Sequence, residues 1–180
     1  MRELSLNIMD VVQNSITANA SFISITIEQS DSLRRLKVSI QDNGKGMTPE
    51  QISQVTDPFF TSRTTRKVGL GIPLFKMAAE QTGGSFHIES QIDKGTMIYA
   101  VFDTSHIDMT PLGDINSTIS ILIRCNPKID FLYSFKTDKG DFDLDTRALR
   151  EILGDEVELD NPDVLSWIEG SLKEDMDNLL

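Results

Sequence analysis

Apolar residues in the first part of the chain recur with two spacings that predict one helix and then two strands. In residues 3–18 they fall every three or four positions, which predicts an amphipathic helix. In residues 21–28 and 36–41 they alternate with polar residues, which predicts strands that bury one face. The second strand runs directly into DNGKGM (residues 42–47), where a carboxylate is followed by two glycines. Because glycine adopts positive φ angles readily, the chain can turn sharply there and let a flat ligand approach.

Capping and turn residues predict two helices and a hairpin after this segment. The sequence TPEQ (residues 48–51) has the threonine, proline and glutamine of a capping box and starts a short helix. The glycines of GLG (residues 69–71) open a second helix, which ends at Gly83–Gly84. Two alternating segments, residues 85–90 and 96–102, predict a β-hairpin.

The second half of the chain predicts a smaller unit of mixed structure behind a linker at residues 103–114. Its patterns predict helix 114–125, strand 129–135, strand 141–145, helix 146–153 and helix 162–176. Cys125, in the apolar segment ILIRC, is expected to be buried. We therefore predict two domains, residues 1–103 and residues 104–180, the second a small acidic α+β extension.

The net charge of −11 is concentrated in this second half. Residues 1–103 hold 11 acidic and 10 basic residues, whereas residues 104–180 hold 17 acidic and 7 basic. This surplus of acid argues against nucleic acid binding, which requires clustered Lys and Arg. No apolar run approaches the ~18 residues of a membrane helix. The single cysteine suits a reducing compartment, so we expect a cytoplasmic protein that binds neither nucleic acid nor membrane.

Three features of the first half suggest a phosphate-binding site, although each also has an ordinary explanation. One face of the first helix carries four short polar side chains, Asn7, Asp10, Asn14 and Thr17. A solvated face would normally carry Lys and Glu. Residues 61–67 contain four hydroxyl and three cationic side chains. GLG at 69–71 frames a helix N-terminus, whose free N–H groups attract phosphate. A solvated helix face and an ordinary Asp-Gly turn at 42–44 stay open as alternatives.

In this order, these features resemble the Bergerat-fold ATP-binding superfamily, which gyrase, heat-shock chaperones, sensor histidine kinases and mismatch-repair MutL share. DVVQNSITANAS (residues 10–21) resembles the asparagine box of MutL. DPFFTSRTTRKVGLGIPL (residues 57–74) resembles the lid and second glycine box of histidine kinases. The resemblance covers residues 3–102 and implies an α/β (α+β) two-layer sandwich, in which helices back a mixed sheet. The whole chain is similar to small stand-alone ATP-binding proteins of anaerobic bacteria.

The resemblance implies a site for ATP with Mg²⁺. Asp42 would accept a hydrogen bond from the exocyclic amine of adenine, and guanine would be rejected because it has a carbonyl there. Thr96 would complete the adenine contact through water. Asn14 would ligate Mg²⁺ through its amide oxygen. The loop at residues 42–47 would contribute Gly44, Gly46 and Met47. The lid would contribute Arg63, Arg66 and Lys67, and the second glycine box would contribute Gly69, Leu70 and Gly71.

The implied chemistry depends on Asp10. It lies one helical turn before Asn14, where ATP-hydrolysing members of the superfamily have a glutamate that orients the attacking water. Aspartate is shorter by one C–C bond, about 1.5 Å, so we expect slow hydrolysis. We expect a nucleotide-dependent switch that regulates an unidentified protein partner. The alternatives are a protein kinase that phosphorylates a partner on histidine or serine, and a degenerate fold that binds only protein.

Overall fold

The computed structural model describes residues 3–61 and 69–180, and in this part of the chain one sheet is covered by helices. In chain order the helices and strands are α1 (Leu4–Thr17), β1 (Phe22–Ser30), β2 (Arg35–Asp42), α2 (Pro49–Thr56), α3 (Pro58–Thr61), α4 (Gly71–Gln81), β3 (Ser85–Gln91), β4 (Gly95–Asp103), α5 (Ile115–Cys125), β5 (Asp130–Thr137), β6 (Gly140–Asp145), α6 (Thr146–Leu153) and α7 (Pro162–Leu179). Each element expected from the sequence is present, and α3 is an addition.

The sheet is mixed, with the strand order β3-β4-β2-β1-β5-β6. β1 and β5 run parallel, and the other neighbouring strands run antiparallel. The alternating pattern of β1 buries Ile23, Ile25 and Ile27 on one face. The register then sets Ile25 beside Ile40 of β2 and Tyr133 of β5, so one continuous apolar surface forms.

Helices α1, α4 and α5 pack over this apolar surface, and their buried side chains belong to the same core. The other face of the sheet is polar. There Glu28 of β1 pairs with Lys37 of β2 at 3.6 Å and with Lys136 of β5 at 3.8 Å. The expected two-layer α/β sandwich with a mixed sheet is therefore confirmed.

The C-terminal segment continues the same sheet. β5 pairs with β1 from Phe22 opposite Asp130 to Gln29 opposite Thr137. The linker is also tied to α1, because the amide of Leu4 donates to the carbonyl of Pro111 at 2.9 Å. The two halves share one hydrophobic core. The division into residues 1–103 and residues 104–180 stays a prediction.

The expectation that Cys125 is buried is wrong. It is the last residue of α5 and is exposed. The apolar face of this helix is formed by other side chains, Ile115, Ile119, Leu122 and Ile123. Cys125 therefore falls outside the stripe that packs on the sheet.

Among the described helices, none is both long enough and apolar enough to pass through a bilayer.

One buried polar group, the hydroxyl of Tyr133, affects how the stability of the protein depends on pH. The Tyr133 side chain is 0% exposed, and no described residue lies within hydrogen-bond distance of its hydroxyl. Its ring packs edge-on to Phe142 at 5.8 Å between centroids. Burial raises the pKa of Tyr133, since the phenolate would lose its hydration.

We expect Tyr133→Phe to change stability differently at neutral and alkaline pH. At pH 8 the variant should be as stable as the wild type or up to about 1 kcal/mol more stable, since an unpaired hydroxyl is removed. Below about pH 10 this tyrosine is protonated in both the folded and the unfolded protein, so its raised pKa has no effect on stability there. Above that pH the wild type should lose about 1.4 kcal/mol per pH unit relative to the variant, and guanidinium unfolding at pH 8 and pH 11 measures both effects.

Tyr99→Phe, on the polar face of the sheet, is the control for general effects of alkali. A loss of more than about 1 kcal/mol for Tyr133→Phe at pH 8 would mean that the hydroxyl has a hydrogen-bond partner after all.

Candidate functional site

A cavity of about 500 Å³ lies between α1, the loop after β2 and α2. Its apolar wall is formed by Val11, Val55, Ile72 and Ile98. Asp42 adds a carboxylate to the lining. A cavity of this size with apolar walls and a few polar groups is typical of small-molecule sites.

Asp42 is the most constrained polar side chain of the cavity. It is 8% exposed, and each of its two carboxylate oxygens accepts a hydrogen bond. The Ser15 hydroxyl donates to Oδ2 at 2.6 Å, and the Gly44 amide donates to Oδ1 at 2.8 Å. These bonds fix the orientation of the carboxylate, and each oxygen retains acceptor capacity toward the cavity.

Thr96 lies beside Asp42 because β2 and β4 pair in that register. Its Oγ1 is 2.7 Å from the hydroxyl of Ser90 on β3. The same Ser90 hydroxyl accepts from the Met47 amide at 2.8 Å. One serine therefore connects the edge strand, the Thr96 side chain and the loop that carries Met47.

The loop after β2 is fixed on both sides. Asn43 Oδ1 accepts from the amides of Ser21 and Phe22 at 2.9 and 3.0 Å. The Lys45 amide donates to the carbonyl of Ala18 at 2.9 Å. These bonds join the loop to the end of α1 and hold it over the cavity.

Two glycines of this loop cannot be replaced without a collision. Gly46 has φ +68°, and a Cβ there would overlap the Gln91 carbonyl. At Gly44 a Cβ would lie 2.8 Å from the carbonyl oxygen of Ala18 and 3.0 Å from Asp42 Oδ1. The two glycines therefore allow the close packing that brings Asp42 to the cavity.

The start of α4 packs directly on α1. A Cβ on Gly71 would lie 2.8 Å from the Cβ of Asp10, so only a glycine allows this approach. Asp10 is exposed, and Asn14, one turn further along α1, lines the cavity. Ile72, the residue after Gly71, lines the cavity too. The helix start at residues 69–71 and the polar face of α1 therefore border one region.

The sequence-derived site residues fall into three groups. Those that line the cavity are Asn14, Asp42, Gly46, Met47 and Thr96. The others lie outside the lining: Gly44 bonds to Asp42, Asp10 packs on Gly71, and Gly69 and Leu70 precede α4. Arg63, Arg66 and Lys67 lie outside the described residues, and their role stays a prediction.

Sequence patterns missed Ser15 and Ser90. Ser15 follows Asn14 on α1 but is 27 residues from Asp42, and Ser90 is 43 residues from Met47. Their partners become apparent only when the strands are placed in register. Asn7, on the polar stripe of α1, is buried instead of lining the cavity.

A metal bound here would depend on few protein ligands. The described residues contain no group of three or more His, Cys, Asp or Glu side chains that could hold an ion. Asn14 offers an amide oxygen, which suits a hard cation whose other ligands are phosphate and water oxygens.

Alanine substitutions at Gly46 and Gly83 distinguish the stability cost of a steric collision from the cost of a left-handed backbone. Gly83 has φ +75°, similar to Gly46, but a Cβ there meets nothing within 4 Å. We expect Gly83→Ala to cost about 1–2 kcal/mol of stability, which is the price of the left-handed backbone alone. Gly46→Ala should cost at least about 2 kcal/mol more, because the Gln91 carbonyl must move. Chemical denaturation of both variants measures the difference, and equal losses would contradict the packing at Gly46.

Comparison with known proteins supports a single family. The family model described as histidine kinase-, DNA gyrase B- and HSP90-like ATPase matches residues 2–106. The sensor protein SrrB of Staphylococcus aureus is 38% identical over 100 residues, which cover 49% of this chain and 17% of that protein. The chain thus spans about a sixth of the length of this relative.

One solved structure is similar in fold, and a second superposes more weakly. The N-terminal domain of a DNA repair protein superposes with a TM-score of 0.52 at 16% identity, covering 81% of this chain and 52% of that one. The MutL ATPase domain of Aquifex aeolicus, complexed with ADP, gives a TM-score of 0.48 at 14% identity, covering 85% of this chain and 69% of that one. The family match covers more than half of the sequence, and the chain belongs to the histidine kinase-, DNA gyrase B- and HSP90-like ATPases, a family of ATP-binding domains.

Proposed function

We propose that the cavity at Asp42 binds ATP with Mg²⁺ and that the bound nucleotide regulates a partner protein. The observation that carries the proposal is the buried Asp42 carboxylate, held by Ser15 and Gly44 and open to an apolar cavity. A family of ATP-binding domains supplies the context.

The adenine ring fits this cavity by shape and by polarity. Val11, Val55, Ile72 and Ile98 provide apolar contacts for a flat ring. The Asp42 carboxylate accepts a hydrogen bond from the exocyclic amine at the ring edge, a charge-assisted contact. Adenine would also keep the carboxylate in a polar environment after water has left, which offsets the cost of its burial.

The triphosphate would extend from the cavity toward the start of α4. The first N–H groups of a helix have no partner within the helix and carry the positive end of its dipole, so Gly69, Leu70 and Gly71 suit phosphate oxygens. Asn14 lies on the adjoining face of α1, where its amide oxygen would ligate Mg²⁺. We assign charge neutralisation to Arg63, Arg66 and Lys67.

Turnover is proposed to be slow. Asp10 packs against the start of α4, where a Cβ on Gly71 would lie 2.8 Å from the Asp10 Cβ. Its short side chain is exposed and does not line the cavity, so it reaches an attacking water poorly. A protein that holds ATP longer than it hydrolyses ATP suits regulation better than steady ATP consumption. We place this activity in the cytoplasm.

Phosphorylation of a protein is the second candidate. The observation that favours it is the similarity to a sensor protein over the ATP-binding half. His87 on β3 does not serve as the acceptor within the same chain in this proposal, because its ring faces Tyr99 at 5.1 Å on the polar face of the sheet. The acceptor would belong to another protein.

Asp42→Asn should weaken ATP binding by at least about a hundredfold, because the charged acceptor for the adenine amine is lost. Isothermal titration with ATP and Mg²⁺ measures the effect. Asp141→Asn, an exposed aspartate on β6, is the matched control and should bind as the wild type does. Unchanged affinity in a folded Asp42→Asn protein would remove the adenine assignment.

Asp10→Glu should increase the release of phosphate from ATP about tenfold or more, because the longer side chain brings the carboxylate nearer to the attacking water. Release from γ-labelled ATP measures the rate, with Asp10→Asn as the control that keeps the size and removes the base. Rapid phosphate release by the wild type that Asp10→Glu does not increase would contradict the role of Asp10. Label found on an added protein instead of in free phosphate would favour the kinase.

A further inference from the structure

A second cavity, of about 530 Å³, lies at the opposite end of the strands that carry the nucleotide site. It is formed by the end of the β1–β2 hairpin, the glycine turn after α4 and the end of β4. No described residue lines both cavities. β2 runs from Arg35 in one cavity to Asp42 in the other, a span of about 23 Å for eight residues of strand. A molecule in one cavity therefore does not occupy the other.

Arg34 occupies this cavity in an unfavourable backbone conformation. Its φ is +52°, the left-handed region that favours glycine. The other non-glycine residues with positive φ in the described chain are Asn19 and Asp93, types that tolerate this region well. Arginine at such a position costs about 1 kcal/mol that glycine would not. The strain is explained if the guanidinium itself is needed there.

The cavity has an excess of positive charge. Within the described chain, neither Arg34 nor Arg35 has a carboxylate within ion-pair distance, although both line the cavity. Among the described lining residues, the one carboxylate belongs to Asp103, which is paired in register with Arg35. Two guanidinium groups and one carboxylate give the described lining a net charge of +1.

The Asp103 side chain is already hydrogen-bonded to the turn that follows β4. The Ser105 hydroxyl and amide both donate to Asp103 Oδ1, at 2.6 and 2.8 Å. These bonds lower the pKa of the Asp103 carboxyl, which therefore stays ionised. Its other oxygen, Oδ2, is available to a hydroxyl or amino group of a ligand.

We propose that this cavity is a binding site for a small organic phosphate. Arg34 and Arg35 bind the phosphate group, and Asp103 accepts a hydrogen bond from a hydroxyl group on the same molecule. The planar guanidinium groups match phosphate oxygens in pairs. The volume lies in the range of small-molecule sites and has room for a small organic phosphate. This site is separate from the proposed nucleotide site and does not depend on it.

Amide chemical shifts of the ¹⁵N-labelled full chain, titrated with glycerol 3-phosphate, test the proposal. The signals of residues 33–35, 83–85 and 103–105 should move and saturate. Inorganic phosphate should move the same signals with weaker affinity, because it lacks the hydroxyl that contacts Asp103. Arg34→Gln with Arg35→Gln should weaken binding at least tenfold. Arg124→Gln, an exposed arginine on α5, is the matched control and should bind as the wild type does.

Arg34→Asn separates binding from folding. It should retain or raise the melting temperature, since asparagine tolerates the left-handed region, and it should still weaken glycerol 3-phosphate binding. A melting temperature lowered by several degrees would show a structural role for the arginine and overturn the proposal. Shifts confined to the Asp42 cavity, or binding that survives loss of both arginines, would overturn it as well. If sodium chloride at equal concentration produced the same shifts, the site would only attract anions in general, and the proposal would be refuted.

Discussion

The buried carboxylate of Asp42 is the group on which the rest of the site depends. The carboxylate of a buried aspartate is stable only when its oxygens are hydrogen-bonded, and here a helix hydroxyl and a loop amide donate these bonds. The Ser15 bond fixes α1 against β2, and the Gly44 bond fixes the turn that follows. Both therefore position the cavity walls as well as the carboxylate. The remaining acceptor capacity of Asp42 is what a ligand can use.

The same two strands, β2 and β4, carry polar side chains at both ends of the sheet. β2 and β4 pair from Arg35 opposite Asp103 to Asp42 opposite Thr96. The ends of strands are where loops and helix starts converge, so polar side chains there reach solvent while the strand centre stays apolar. One end has the buried carboxylate that we propose to accept from an adenine amine, and the other has the two arginines that we propose to bind phosphate. Both proposed sites leave the apolar core between them intact.

Local patterns predicted the elements well because their causes are local. The capping box of Thr48 and Gln51 forms as expected, with bonds of 2.9 and 3.2 Å. Partners distant in sequence were not predictable in this way: Ser15 meets Asp42 only after α1 packs on the sheet. The parallel pairing of β5 with β1 was likewise not visible, since strand alternation does not reveal which neighbour a strand takes. The burial of Cys125 was predicted wrongly because a run of apolar residues does not show which of them lie on the side of the helix that faces the core.

We propose that Asp42 recognises the exocyclic amine of adenine. Titration of the wild-type chain with ATP and then with ITP, in the same Mg²⁺ buffer, tests it most directly. The two nucleotides differ at the purine ring position where adenine has an amine and hypoxanthine a carbonyl. ATP should bind, and ITP should bind at least about a hundredfold more weakly, because its carbonyl would face the carboxylate. Equal affinity for the two nucleotides would contradict the account.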